Sequence, residues 1–283
     1  MAVTSIYGRN SENVSPNATW TLDSGGADST YPIANIKDQD PTTPAGSTST
    51  AMTAKADFGS AQRVDLVMLW NHNLRNNSAT LVARYQANAA DSWGAPTVNV
   101  LLSIPAPDKD NFIDAVFLDV TGQAGYSASG FRYHRLLITG NDANVKIGEV
   151  LFYSTKRTLS RPFSWGIPEQ KTRRVVVLRT NANVRLNDDR GYKWREWPIK
   201  LWADAASRRD LVYLWEDARM GARPVLLALD PTNSAAILDS GAVNSGALLC
   251  YLKEPAFVRN INNPNFHPTA FTVEEAGRGL SWY

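Results

Sequence analysis

Cysteine and histidine are scarce in this sequence. Its 283 residues include one cysteine, Cys250, and three histidines, His72, His134 and His267. A single cysteine excludes an intramolecular disulfide, so the core alone must hold the fold, as expected of a protein made in a reducing compartment. Cys250 lies in an apolar run, which predicts a buried structural thiol. None of the histidines has the His-x-x-x-His spacing of a metal site.

Long apolar runs and an excess of one charge are also absent. The longest apolar runs have about six residues, whereas a membrane-spanning helix needs roughly 20. The formal net charge is +2, which gives no electrostatic signature of nucleic-acid binding. The first residues do not form a basic segment followed by an apolar one, so we expect no signal peptide. We therefore expect no membrane insertion and no nucleic-acid partner.

Motifs for catalysis are missing as well. The sequence has no Gly-x-Ser-x-Gly elbow and no glycine-rich phosphate loop. Asp188 and Asp189 read as turn residues, and Glu274 and Glu275 are neighbours on a predicted strand, so their side chains point to opposite faces. A glycoside hydrolase is an alternative, but it needs two cooperating carboxylates and the sequence shows no set of residues for that role. We expect a protein that is not an enzyme and has no cofactor.

The first half of the chain contains a series of β-strand patterns. Residues 1–60 are rich in Ser, Thr, Asn, Gly and Pro, which is typical of loops and short strands. Apolar or alternating segments predict strands over residues 54–59, 63–70, 79–85, 131–138 and 147–153. The second of these is apolar throughout its later part, which predicts a strand buried on both faces.

The order of these segments resembles that of discoidin-like domains, also called F5/8 type C or galactose-binding-like. The matching parts are Asn35-Ile36, Asp57-Phe58-Gly59, and the strands at 64–70, 131–138 and 147–153, the last of which carries Glu149. Asp91-Ser92-Trp93 stands where the family often has an Asp-Gly-x-x-Trp turn, without its glycine. The resemblance implies a discoidin-like β-sandwich (jelly roll) over residues 1–155, which would serve as a binding or scaffolding module.

The second half has a different pattern. Residues 156–170 are polar and interrupted by prolines, which predicts a linker, and residues 171–283 form the second predicted domain. A strand at 173–179 and a hairpin with a turn at 187–191 come first. Apolar residues spaced i, i+3, i+4 and i+7 from Leu211 then predict a helix over about 204–220. The fold class is therefore mainly β, with a sandwich followed by a β-rich domain carrying one packed helix.

Two segments of this second domain resemble phage tail proteins. Gly221-Ala222-Arg223-Pro224 leads into a strand, and residues 271–277 end a strand in Glu-Glu before a glycine. The resemblance is to a tail-tip or baseplate protein of a long-tailed, siphovirus-like phage, of the distal tail type, with a tail-protein β-barrel-like domain. It implies a homo-oligomeric ring, a hexamer or trimer, that anchors tube, hub or fibre proteins. Such a protein is made in the host cytoplasm and ends in the virion tail tip.

The candidate site residues are loop residues. Those predicted to contact a ligand or partner are Asp38, Asp40, Asn71, His72, Asn73 and Trp93. Those predicted to form interfaces are the aromatics Trp165, Trp194 and Trp282. No metal is expected, although the discoidin-like resemblance implies calcium at Asp38 and Asp40 as an alternative. The alternative function is a carbohydrate- or receptor-binding module that contacts the host cell surface.

Overall fold

The computed structural model describes residues 6–40, 43–74, 80–104, 115–159, 170–179, 185–203, 205–218, 223–228, 247–253, 256–257 and 267–275. These ranges contain one α-helix, α1 (Ala205–Asp217), and three short 3-10 helices (Asn10–Glu12, Ser15–Asn17 and Ile33–Lys37). They also contain the strands β1 (Ile6–Gly8), β2 (Thr19–Ser24), β3 (Ala45–Gly46), β4 (Met52–Gln62), β5 (Leu66–His72), β6 (Val82–Asn88), β7 (Val98–Leu101), β8 (Ala115–Asp119), β9 (Phe131–Thr139), β10 (Lys146–Tyr153), β11 (Arg157–Thr158), β12 (Gln170–Arg179), β13 (Arg185–Ala203), β14 (Val225–Ala228), β15 (Ala247–Leu252), β16 (Ala256–Phe257) and β17 (His267–Glu275).

The strands form three antiparallel sheets. A four-stranded sheet in the order β3-β10-β5-β8 faces a five-stranded sheet in the order β2-β4-β9-β6-β7, and together they make a β-sandwich. The third sheet has eight strands, in the order β11-β1-β14-β15-β17-β13-β12 with β16 beside β17. Within the described ranges the fold is thus mainly β with one helix, which confirms the predicted fold class.

Strand β5 is buried on both faces, as its apolar run predicts. Val67 and Leu69 point into the core between the two sandwich sheets. The alternate residues Leu66, Met68 and Trp70 point away from it, because successive side chains of a strand lie on opposite faces. They join a second core with α1, β1, β14 and β15. The second half of the chain therefore covers the outer face of the four-stranded sheet.

Helix α1 packs with the face that its sequence period indicates. Leu211, Leu214 and Ala218 are buried in the second core, and Trp215 packs against it. Burying one aliphatic side chain contributes about 2 kcal/mol, so these contacts stabilise the docked helix substantially. Cys250 is buried in the same core, as predicted, with its Sγ 3.7 Å from the carbonyl oxygen of Val225.

Backbone pairing crosses the predicted boundary between the two domains. β1, from the start of the chain, pairs with β14 on one side and with β11 on the other. Arg157 and Thr158, at the start of the predicted linker, therefore belong to the eight-stranded sheet. Residues 160–169 of the linker lie outside the described residues. The domain division stays a prediction, and both ends of the sandwich segment are tied to the third sheet.

The predicted hairpin turn at residues 187–191 is wrong. These residues lie inside β13, where Asn187, Asp188 and Asp189 pair with residues 175–177 of β12. The register shifts between Arg173 and Val175, which marks an irregularity in the ladder beside Gly191. A bulge of this kind absorbs extra residues without ending the strand, so cross-strand pairing overrides the local turn preference of the Asn-Asp-Asp sequence.

Candidate functional site

The residues predicted to form ligand loops lie in separate parts of the sandwich. Asp38 and Asp40 follow a 3-10 helix beside the four-stranded sheet, and residues 71–73 end β5 in that sheet. Asn73 contacts the turn that follows the end of β9. Trp93 follows the end of β6, which pairs with the start of β9. Trp93 and residues 71–73 therefore belong to opposite ends of β9 and cannot share one small ligand.

Residues 71–73 are buried and bonded to their surroundings. Asn71, His72 and Asn73 are each less than 5% exposed. The Oδ1 atom of Asn73 accepts a hydrogen bond from the Lys146 backbone nitrogen at 2.8 Å, and the Nδ1 atom of His72 accepts one from the Leu74 nitrogen at 3.2 Å. These side chains bond to the backbone around the end of β5, so their role is structural. Because they are buried, they offer little surface to a ligand.

Asp38 and Asp40 lie beside a buried carboxyl group, that of Glu149. Glu149 projects from β10 on the face of its cross-strand neighbour Trp70, and only 1% of it is exposed. Burial and then the negative charge of Asp38 raise the pKa of Glu149 to about 9, and Asp40 adds to the shift. Within the described residues neither carboxyl oxygen of Glu149 makes a well-formed hydrogen bond, although the Asp38 carboxyl and the Gln39 backbone lie close enough to shift its pKa. Glu149 is not among the site residues predicted from the sequence, although an acid inside an otherwise apolar strand is a visible signal.

This acidic cluster also borders the second half of the chain. The pKa of Tyr251 in β15 is raised by burial and next by the negative charge of Asp40. Asp38 accepts hydrogen bonds from the Thr43 hydroxyl at 2.6 Å and from the Asp40 nitrogen at 2.8 Å, so its carboxylate is held in place. The cluster is therefore an ordered acidic site between the sandwich and the third sheet.

The negative charge of this cluster would attract a cation, but the cluster supplies few of the oxygen ligands that a cation needs. Calcium binds six to eight oxygens. Within the described residues, no group of three or more His, Cys, Asp or Glu side chains could hold a metal ion. Glu149 and Asp38 would supply carboxylate oxygens, and backbone carbonyls would have to supply most of the others. Calcium at Asp38 and Asp40 thus stays a prediction.

The outer face of the five-stranded sheet carries a row of polar side chains, one from each strand. We call it the polar row, and its members are Thr21, Lys55, Arg135, Gln86 and Asn99. Each is the direct cross-strand partner of the next. The two cations of the row are therefore adjacent, an arrangement that costs stability unless other groups compensate.

Hydrogen bonds link one side of the polar row. The Nε atom of Arg135 donates to Gln86 Oε1 at 2.5 Å, and Gln86 Nε2 donates to Asn99 Oδ1 at 3.0 Å. Arg84, from the neighbouring position on β6, also donates to Asn99 Oδ1, at 3.2 Å. These bonds hold the amides and the Arg135 guanidinium in fixed orientations, which pre-organises the surface.

Trp93 and two aspartates surround the cations of the row. The Arg135 guanidinium carbon lies 4.2 Å from the centroid of the Trp93 ring, within cation–π range. Asp91 accepts from Trp93 Nε1 at 2.8 Å and from Lys55 Nζ at 2.7 Å. Asp23 lies 3.4 Å from the same ammonium group. Asp91 therefore links the loop that carries Trp93 to the sheet, so the ring is positioned over Arg135.

Arg135 differs from the neighbouring Arg132 in its bonding. Arg132 is bidentate to Asp57, at 2.8 and 2.9 Å, which lowers the pKa of Asp57 to about 2. Arg135 uses only its Nε atom, and no carboxylate among the described residues pairs with it. Its two Nη atoms make no hydrogen bond within the described residues, and the side chain is partly exposed. Arg135 thus presents an open pair of donors.

Two other polar groups of the sandwich have structural roles. Burial lowers the pKa of His134 to about 4, so the ring is neutral at pH 7. Its Nε2 atom donates to the Phe131 carbonyl at 2.9 Å, which leaves Nδ1 to accept from the Tyr85 hydroxyl at 2.7 Å. The fully buried Asp65 side chain accepts from Arg63 and Tyr126, each at 2.7 Å. Both groups are satisfied within the fold.

The predicted interface aromatics lie mostly beyond the described residues. Trp165 and Trp282 fall outside them. Trp194 lies in β13, where its backbone pairs with Thr172 of β12. Their role in an interface stays a prediction. No helix in the described part of the chain is long and apolar enough to cross a membrane.

Comparison with known proteins relates about half of the chain to sugar-binding modules. No protein-family model and no curated protein matches the sequence. A chitosan-binding module of a chitosanase/glucanase from Paenibacillus sp. IK-5 is 20% identical, with a TM-score of 0.37, over 50% of this chain and 98% of the module. A fucose-binding module from Streptococcus pneumoniae is 8% identical, with a TM-score of 0.38, over 50% and 98%. The lectin domain of lectinolysin, solved with Lewis B antigen, is 9% identical, with a TM-score of 0.36, over 50% and 96%.

Proposed function

We propose that this chain is a non-catalytic carbohydrate-binding protein whose glycan lies on the outer face of the five-stranded sheet. One observation carries the proposal: the polar row and Trp93 occupy an outer face of the sandwich that the described second half does not cover. The other outer face, on the four-stranded sheet, is packed against α1, β14 and β15. The second half then serves as the support that holds the binding face toward solvent.

The chemistry of this face suits a sugar. Hydroxyl groups donate and accept hydrogen bonds, and the exposed amide of Asn99 does both, while the buried Gln86 amide holds Arg135 in place. The cations Lys55 and Arg135 add donors, and the half-buried Trp93 adds an aromatic surface of the kind that contacts apolar faces of ligands. With strands about 4.8 Å apart, the row of five side chains spans about 19 Å. That length suits an oligosaccharide lying across the strands.

A glycan array with the full-length chain tests this proposal, followed by calorimetry on the best binder. The full chain is required because β1 and β14 pair across the two halves. We expect Trp93→Ala to weaken binding at least tenfold. Tyr213→Ala is the matched control, because Tyr213 is also an exposed aromatic, 46% exposed, but lies on α1. Absence of binding to every glycan, or an equal loss in both variants, would refute the proposal.

A second candidate function is assembly into a ring at a phage tail tip, where the chain would anchor tube, hub or fibre proteins. The observation that favours it is β12, a ten-residue strand at the edge of the eight-stranded sheet. Among the described strands only β13 pairs with it. An edge strand of this length offers unpaired backbone groups to another chain, and a repeated heterologous contact closes into a ring.

Light scattering on the full-length chain tests the assembly proposal. A discrete trimer or hexamer would support it. Replacing Val176 in β12 by proline removes a backbone donor from the edge strand and should dissociate such a ring. Proline at Ala256 in the two-residue β16 is the control for a general loss of stability. A monomer at all concentrations, or a ring that persists in the β12 variant, would count against edge-strand assembly.

A further inference from the structure

Arg135 is a guanidinium with two open donors at the centre of the proposed binding face. Two other arginines of the sandwich are paired with carboxylates: Arg63 pairs with Asp65, and Arg132 pairs with Asp57. Arg135 instead donates from its Nε atom to the neutral amide of Gln86, and its guanidinium carbon lies 4.2 Å from the centroid of the Trp93 ring. A guanidinium fixed in this way keeps its Nη pair free for a planar, two-oxygen acceptor.

We propose that Arg135 binds the carboxylate of an acidic sugar, so that the ligand of this face is a glycan containing a uronic or sialic acid. This inference rests on the proposed glycan-binding function. A carboxylate matches the guanidinium fork with two parallel hydrogen bonds. The adjacent Trp93 ring and the bond to Gln86 hold the guanidinium in place before the ligand arrives, so little side-chain entropy is lost on binding.

The charges around the fork favour a sugar with isolated carboxylates over a dense polyanion. Lys55 lies directly across the sheet from Arg135, and it is already paired with Asp91 at 2.7 Å and lies near Asp23. With Arg84, which donates to Asn99 of the row, the face carries three cations against two aspartates. A single carboxylate at Arg135 therefore balances the local charge, whereas a chain with many sulfates would meet the two aspartates and be repelled.

The test compares matched ligands on the full-length chain. Oligogalacturonides and sialylated oligosaccharides are titrated by calorimetry beside the same sugars with the carboxyl group reduced to an alcohol. We expect the acids to bind at least tenfold more tightly than their reduced forms. Arg135→Lys keeps the positive charge but removes the fork, and we expect it to abolish most of this preference. Arg132→Lys is the control, because its fork is occupied by Asp57.

Each outcome has a distinct meaning. If the reduced sugars bind as well as the acids, the carboxylate inference is wrong while glycan binding stands. If no sugar binds, both proposals fail. Tighter binding of a heparin-type sulfated chain would overturn the assignment of a carboxylate. Because the comparison of acid and reduced sugar uses the unmodified protein, the inference stays testable even if Arg135→Lys folds poorly, which a thermal melt would reveal.

Discussion

Replacing Glu149 by glutamine should change how the stability of this protein depends on pH. The pKa of Glu149 is raised to about 9 in the folded chain from an ordinary 4.5, because the carboxyl is buried and lies beside Asp38. Between these two pH values the folded chain binds a proton that the unfolded chain has released. The free energy of unfolding must therefore fall as pH rises from 4.5 toward 9.

The size of the effect follows from the shift. From pH 4.5 to pH 7 the difference is about 2.5 pKa units, which at 1.36 kcal/mol per unit lowers stability by about 3 kcal/mol. Glutamine has the same shape and does not titrate. We expect Glu149→Gln and the wild type to unfold with similar free energy near pH 4.5. At pH 7 the variant should be more stable by about 3 kcal/mol.

The assay is urea unfolding at a series of pH values between 4.5 and 9, with a chelator present. Glu216→Gln is the control, because it makes the same substitution at an exposed carboxylate on α1. The difference between the wild-type and Glu149→Gln curves isolates Glu149 from every other titrating group. Parallel curves for these two proteins would refute the reasoning.

Added calcium extends the same experiment. A cation bound between Glu149 and Asp38 would favour the ionised carboxyl, so it should raise wild-type stability most at high pH, where the buried charge is otherwise unfavourable. The Glu149→Gln variant should gain much less. Equal gains in both proteins, or none in either, would count against a calcium site at this cluster.

Three further changes test the structural groups of the sandwich. The pKa of His134 is about 4 in the folded chain, so lowering the pH from 6.5 to 4 should reduce the free energy of unfolding by about 3 kcal/mol. In urea titrations the His134→Gln variant should lose much less stability over this pH range. Asp65→Ala removes a fully buried carboxylate that accepts from Arg63, Tyr126 and the Lys156 nitrogen, and it should cost about 3 kcal/mol by chemical denaturation. Asp57→Ala, at a half-exposed pair, should cost much less. Gly130→Ala should destabilise more than Gly59→Ala in thermal melts, because both have a positive φ but only the β-carbon at Gly130 would meet backbone, at 2.2 Å.

Five of the nine sandwich strands, β4, β5, β6, β9 and β10, were predictable because their signal is local. The apolar run at 64–70 indicates a strand without outside information, since alternation or its absence reports directly on which faces are buried. The face of α1 followed in the same way from the spacing of Leu211, Leu214 and Ala218. The irregular ladder at 187–191 was not predictable, because its turn-forming residues are held in β13 by pairing with a strand nearer the start of the chain.

The sequence by itself therefore determined the class of fold, the buried thiol Cys250 and the position of the helix, since each depends on residues that are neighbours along the chain. Only the tertiary structure decided which polar residues meet. Lys55, Trp93 and Arg135 come from separate segments, and sheet register places them on one face. The tertiary structure also decided that Glu149 is buried beside Asp38. Strand order and the docking of the second half remove that carboxyl from water, and both depend on contacts between residues far apart in the sequence.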